Sequence, residues 1–224
     1  PVIVPALFTT QIDNPYFPLV PGTTFFYEAD TPDGFEEIET IVTHDTKEVL
    51  GVTCVVVHDI ARLDGEIIED TFDWYAQDTE GNVWYLGEDT AEFEDGETTT
   101  KAGSFEAGVD GALPGIIMPA DPQPGTRYRQ EYYEGEAEDN GEILSVEEMA
   151  EVPAGFWFRD ALGLGATATD NDAGTSRVDV HADAIAGALD LDTRDAGAVK
   201  RLGQVLTNTD VLCEVVRVTL TRLL

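Results

Sequence analysis

Asp73, Glu88 and Asp89 stand beside two Trp-Tyr pairs in the stretch TFDWYAQDTEGNVWYLGED (71–89), and Glu131 directly precedes Tyr132. Cleaving a glycosidic bond takes two carboxyl groups, one acting as acid and one as base or nucleophile, and exposed rings beside acids are common at sugar sites. A hydrolase that acts on a glycan through Asp73, Glu88 and Glu131 is therefore one reading. The rings support another without a reaction: Trp74, Trp84 and Tyr132, with Ile116 and Met118, could line a concavity for an apolar or saccharide ligand. Between the two ring pairs, Asp78, Glu80 and Asn82 alternate three oxygen side chains around Gly81. Oxygen donors suit a hard cation such as Ca2+, although the spacing is not that of the twelve-residue EF-hand loop.

Other chemistries lack their parts. A Ser or Cys nucleophile needs a His base, and none of His44, His58 and His181 adjoins a nucleophile elbow; His44 and His58 are expected at the surface, at strand ends. No His or Cys pair has zinc spacing, and no Gly-rich phosphate loop is present. Cys54 (GVTCVVV) and Cys213 (VLCEVV) each sit in an apolar run, which suits buried thiols or a single disulfide joining the ends of the chain. Spacing decides neither.

The 224 residues carry 45 acids against 12 bases, a formal net charge of -33, yet 42% of them are hydrophobic. That share is too high for a disordered acidic tail, so the acid must coat a folded body. Only three of the bases are Lys, the balance of a halophilic surface, and a nucleic-acid partner is excluded because phosphate contacts need clustered Lys and Arg. No run of 18 apolar residues offers a transmembrane segment. A chain that opens on Pro1 instead of Met is expected to be processed or trimmed.

The elements that must hold these residues are strands. Residues 1–22 carry five prolines and read as an extended lead-in lying over the body. From Thr23 the chain is rich in β-branched and aromatic residues, punctuated by Pro32-Asp33-Gly34, Leu50-Gly51, Asp64-Gly65 and Asp95-Gly96. Alternation puts Ile68, Asp70, Phe72, Trp74 and Ala76 on one face and Glu69, Thr71, Asp73, Tyr75 and Gln77 on the other, with Trp74 expected inward and Tyr75 outward. Residues 103–125, full of Gly and Pro, read as the longest loop, with Ile116 to Met118 tucked against the sheet or capping an open end. Residues 23–155 thus form a mainly β domain, an antiparallel meander curled into a barrel or half-barrel.

The composition breaks after residue 155. All 11 prolines lie at or before Pro153 and the last aromatic is Phe158; 35 acids and 5 bases precede residue 153, against 10 and 7 after it. HADAIAGAL and DAGAVKRLGQVL have helical spacing and TDVLCEVVRVTLTRLL alternates, so 156–224 reads as a small Ala/Gly-rich α/β segment. A shifted reading frame in a GC-rich gene would also yield text of this kind.

The segments NPYFPLVPGT (14–23), DWYAQDTEGNVWYLGED (73–89), GSFEAGVDGALPGIIMPADPQPG (103–125) and YRQEYYEGEAED (128–139) are similar to a group of predicted exported bacterial proteins with no established activity. The resemblance covers about residues 14–155. It implies an extracytoplasmic β-rich domain, periplasmic, secreted or at the cell surface, lipid-anchored in some relatives, and it carries over no catalytic residue. The family pattern continues as strands after VPAG (152–155), where this chain departs from it. The leading reading is a non-catalytic exported domain that binds an apolar or saccharide ligand or serves as an envelope component. The alternatives are the carboxylate-pair hydrolase and a structural or filament subunit; the sequence leaves the oligomeric state open.

Overall fold

A computed structural model describes residues 1–152 and 156–167, with side chains as far as Val146. A 3-10 turn at Pro5–Leu7 leads into β1 (Phe8–Thr9). The chain then runs through β2 (Thr24–Thr31), β3 (Gly34–Val49), β4 (Val52–Leu63), β5 (Glu66–Asp78) and β6 (Val83–Glu94) as successive antiparallel hairpins. Three short strands follow, β7 (Glu97–Thr100), β8 (Phe105–Glu106) and β9 (Leu113–Met118), each paired with a different stretch of β6. Then come β10 (Arg127–Arg129), β11 (Glu131–Tyr132), β12 (Asn140–Val152) and β13 (Phe156–Thr167). The large sheet has the order β11-β9-β6-β5-β4-β3-β2 and curls into a half-barrel, while β10-β12-β13 form a second sheet. Gln130, between β10 and β11, carries the chain from one sheet to the other.

The hairpins follow from their turns. Leu50-Gly51, Asp64-Gly65 and Asp95-Gly96 all hold two consecutive positive φ angles, 52° and 79°, 51° and 87°, 53° and 78°. This is the type I′ requirement, whose twist matches that of the flanking strands.

Two cores result, one on each face of the large sheet. The main one gathers Phe25, Val42, Val57, Tyr75, Val83, Tyr85 and Met118 on the concave side, closed by Ala137 and Ile143 from the β10–β12 region. The smaller one holds Val49, Val52, Cys54, Trp74, Leu86 and Ala107 on the opposite face, covered by Ile3 and Phe8. Each fully buried Val, Leu or Met contributes about 1.5–3 kcal/mol.

Four sequence expectations need correction here. Trp74 and Tyr75 are both buried, on opposite faces, and the main core takes the face of Asp73 and Tyr75; the face of Trp74 is buried because the N-terminal residues cover it. Those residues do not merely lie over the body, since Ile12, Phe17 and Leu19 are part of the main core. The stretch 103–125 is not one loop, because β9 lies within it and joins the sheet beside β6. His58 is not at a strand end: it sits inside β4 opposite Phe72, its ring stacked on that of Phe72 at 4.2 Å.

The composition break after residue 155 does not interrupt the second sheet, where β13 pairs with β12 from Val152↔Phe156 to Asn140↔Thr167. The two helical stretches, the closing strand and Cys213 lie outside the described residues. Among the described residues no helix is long and apolar enough to cross a membrane.

Candidate functional site

The candidate site is built on a break in β6. In a regular strand Tyr85 and Glu88, three residues apart, would point to opposite faces. The β5–β6 register shifts between Trp74↔Gly87 and Tyr75↔Tyr85, leaving Leu86 as an extra residue, and such a bulge re-aims the side chains beyond it. Gly87 makes the bulge possible. Its φ is +145°, and a Cβ there would sit 2.3 Å from the Phe105 carbonyl oxygen and 3.0 Å from the Trp74 ring. Asp73, Tyr75, Tyr85 and Glu88 therefore share the concave face.

An aromatic row crosses that face. Phe17 meets Tyr75 edge-on at 5.5 Å, Tyr75 stacks on Tyr85 at 4.9 Å, and Phe105 closes on Tyr85 edge-on at 5.3 Å. The row ends at a chain of polar groups. The Tyr85 phenolic oxygen lies 2.5 Å from Asp73 Oδ1 and 2.6 Å from Glu88 Oε2, so the two carboxyl oxygens are no more than about 5.1 Å apart. Next to them the Thr71 and Thr90 hydroxyls bond at 2.6 Å, and Thr71 donates to Glu69 at 3.0 Å.

Glu88 opens onto a cleft of about 320 Å³, whose other lining groups are Glu69, Thr90, Glu92 and Ala102 on the β5–β6 side and Glu131 with residues 136–139 across from them. Burial, strengthened by Glu88 and then Asp59, pushes the Asp73 carboxyl well above the carboxylate range. Burial also lifts Glu88 to about 7, against the Tyr85 hydrogen bond, with Glu69 and Asp139 adding to the rise. Glu131 is pushed to about 9 by burial first and then by Asp139, Glu88 and Asp73. The phenol of Tyr85 is raised well above its usual value by burial and by the two acids it touches. The cleft therefore keeps carboxyl groups neutral that would be ionised in water.

Of the carboxylates expected to act together, Asp73 and Glu88 are cross-strand partners and Glu131 lines the same cleft, but Asp73, 7% exposed, is sealed beneath Tyr85. Asp89 points the other way, to Lys101 at 2.8 Å. The residues expected to line a ring-walled concavity are not brought together. Trp74 lies in the smaller core under the Lys47 ammonium, 3.6 Å from its ring centre, while Met118 is sealed in the main core. Trp84 packs edge-on against Phe8 at 6.0 Å with Ile116 beside it in β9, and Tyr132 lies at the β11 edge beneath Arg129.

The Asp78–Asn82 turn is closed on itself. Asp78 Oδ1 accepts the backbone N–H groups of Glu80 and Asn82, and Oδ2 accepts the Asn82 amide and the Trp84 indole N–H at 2.8 Å. Burial opposes ionisation there, but these four donors outweigh it and hold the Asp78 carboxyl below its usual value. The side chains serve the hairpin: the Asn82 amide oxygen accepts Ala120 N–H and pins the end of β9.

Sequence reading missed Tyr85 as a site residue. Its place follows only from the register, which sets Asp73 opposite Glu88, and from the bulge that turns Tyr85 between them. Comparison with protein-family models, with curated proteins and with solved structures found no match.

Proposed function

We propose that the chain is a non-catalytic, exported β domain that binds a saccharide in the acidic cleft between β6 and β11. The observation that carries the reading is Glu131: its carboxyl lines the cleft, and no group of the described residues hydrogen-bonds to it. The cleft volume of about 320 Å³ is at the lower end of ligand pockets, roughly 300–1,000 Å³. The walls are Glu, Asp, Thr and Ala, so a ligand rich in hydroxyl groups suits them better than an apolar one. Neutral carboxyls both donate and accept hydrogen bonds, as sugar hydroxyls do. Export rests on the family resemblance of residues 14–155.

Calorimetric titration with a panel of neutral oligosaccharides tests the reading. Saturable binding is expected, weakened by up to about tenfold in Glu131→Gln, the worth of one hydrogen bond between neutral groups. Absence of binding across the panel, or binding indifferent to Glu131→Gln, refutes it. A second reading, a glycan hydrolase, is favoured by one observation: Glu88 and Glu131, raised to about 7 and 9, share one cleft, as an acid and its partner would. It requires turnover of a chromogenic glycoside that disappears in both Glu88→Gln and Glu131→Gln.

A further inference from the structure

Five of the eleven exposed large hydrophobic side chains of the described residues, Val2, Val4, Leu7, Leu50 and Val109, come from the N-terminal segment and two turns that meet it. Leu50, at the tip of the β3–β4 hairpin, lies over Gly108, where a Cβ would stand 2.4 Å from its Cδ2, and Pro5 lies over the adjoining Gly51, its Cγ 3.3 Å from where a Cβ would be. Val109 follows Gly108, and Val4 and Leu7 flank Pro5, with Leu7 N–H donating to the Val4 carbonyl at 2.9 Å. The turn that carries Val109 is fixed by its own backbone: Val109 N–H donates to Glu106 at 2.9 Å, Gly108 N–H to Ala112 at 2.9 Å and Ala112 N–H to Val109 at 2.8 Å. The five side chains therefore form one preformed apolar surface.

Leu50 does not suit its turn. Its φ of +52° lies in the left-handed region, which favours Asn, Asp or Gly and which a bulky side chain seldom enters, and the two other type I′ turns of the meander place Asp64 and Asp95 there. The Leu50 side chain belongs to neither core and stays 45% exposed. A strained position that serves neither the turn nor a core points to a use outside the monomer. Charge decides what can cover it. Residues 1–12 carry no charged side chain, in a chain of formal net charge -33. Of the acids next to the two turns, Glu106 is tied to Lys47 at 2.8 Å, and Glu48 and Asp110 stand exposed at the rim. Two copies of the chain that met on its acidic surface would set carboxylate against carboxylate, whereas here they set aliphatic groups against aliphatic groups. A lipid surface is a poorer match, since none of the five is the Trp or Tyr that seats a protein among headgroups.

We propose that this surface is a self-association face, on which a second copy of the chain docks about a two-fold axis, Leu50 and Val109 of each copy covering those of the other. A two-fold contact uses the same patch on both chains and closes at two. A standard interface takes about 20–30 residues a side, so five apolar ones supply only its centre, and the pair is weak and concentration-dependent. The charge on the rest of each copy opposes the pair over a reach that salt shortens, from about 10 Å at 0.1 M to about 3 Å at 1 M. Added salt therefore tightens this pair, where it would loosen one built on ion pairs. None of the five residues lines the acidic cleft, so the proposal stands or falls separately from saccharide binding.

Sedimentation equilibrium on the full chain, from micromolar to submillimolar concentration at about 0.1 M and about 1 M NaCl, tests it. The mean mass should rise from one chain towards two as concentration increases, with a Kd at least about tenfold lower at the higher salt. Leu50→Asn is the decisive variant, because Asn suits the left-handed turn better than Leu and keeps the fold. It should raise Kd at least about tenfold, two Leu side chains being withdrawn from each pair, while the urea midpoint does not fall. Val109→Asp should weaken the pair from the other turn. A mass of one chain at every concentration and both salts overturns the proposal, and so does a Kd that rises with salt, a mass that climbs past two chains, or a folded Leu50→Asn variant that pairs as tightly as wild type. A mass of one chain together with pelleting on phosphatidylcholine vesicles overturns it in favour of a lipid surface.

Discussion

Replacing Asn14 by Ala should cost a large part of the stability of this fold. Asn14 is 3% exposed; its amide donates to the carbonyls of Gly81 at 2.9 Å and Pro119 at 3.1 Å, and its oxygen accepts Tyr16 N–H at 2.9 Å. One residue thus ties the N-terminal segment to the β5–β6 turn and to the end of β9. Truncation strands the Tyr16 N–H, worth about 1–3 kcal/mol, and removes a bond from each of two carbonyls, about 0.5–1.5 kcal/mol apiece. The sum is about 2–6 kcal/mol, against roughly 5–15 kcal/mol for a whole domain. Urea denaturation at pH 7 should show a lower midpoint with little change in slope. Asn14→Asp is the decisive comparison: it keeps the shape and the acceptor for Tyr16 but sets a carboxylate oxygen against two carbonyl oxygens. It should cost at least as much as Ala. An Asp variant within about 1 kcal/mol of wild type would falsify the argument, since shape alone would then explain the residue.

Stability should also depend on pH through Glu88. Its native pKa of about 7 lies above the ordinary 4.5, so the native state binds this proton more tightly than the unfolded chain; the stabilisation is complete below pH 4.5 and is lost as pH rises through 7. At 1.36 kcal/mol per unit the loss is roughly 3 kcal/mol, and the stability of Glu88→Gln relative to wild type should rise by about that much between pH 4 and 8 in parallel urea titrations. Gly87→Ala should cost about 2–5 kcal/mol, because a Cβ would collide with the Phe105 carbonyl at a φ that suits glycine. Gly96→Ala, with nothing within 4 Å, should cost only about 1–2 kcal/mol for its φ of +78°. Equal losses in the two denaturation curves would remove the bulge from the account.

The strand order of the meander was legible because its punctuation is chemical. Asp64-Gly65 and Asp95-Gly96 tolerate paired positive φ angles, and they bend the chain where the dipeptides stand. Facing was not legible. Alternation through 68–77 separates two faces but does not say which is inside, and the larger ring at Trp74 suggests the wrong one. A chain segment more than 50 residues away decides it, since Ile3 and Phe8 cover one face while Phe17 enters the other. The candidate site was half legible. Acids beside rings drew attention to Asp73, Glu88 and Glu131, but a one-residue bulge at Leu86 has no local signature, and without it Tyr85 cannot be set between two carboxyls.

The Asn14 tie also sets a timetable for synthesis. Its partners lie 63, 67 and 105 residues downstream, at Gln77, Gly81 and Pro119. A ribosome works from the N-terminus, so the first segment to emerge must wait for partners made much later, and Ile12, Phe17 and Leu19 cannot complete their docking until β9 has left the tunnel. Until then the newborn chain carries its own stopper unseated, in a form that chaperones would recognise by those three side chains.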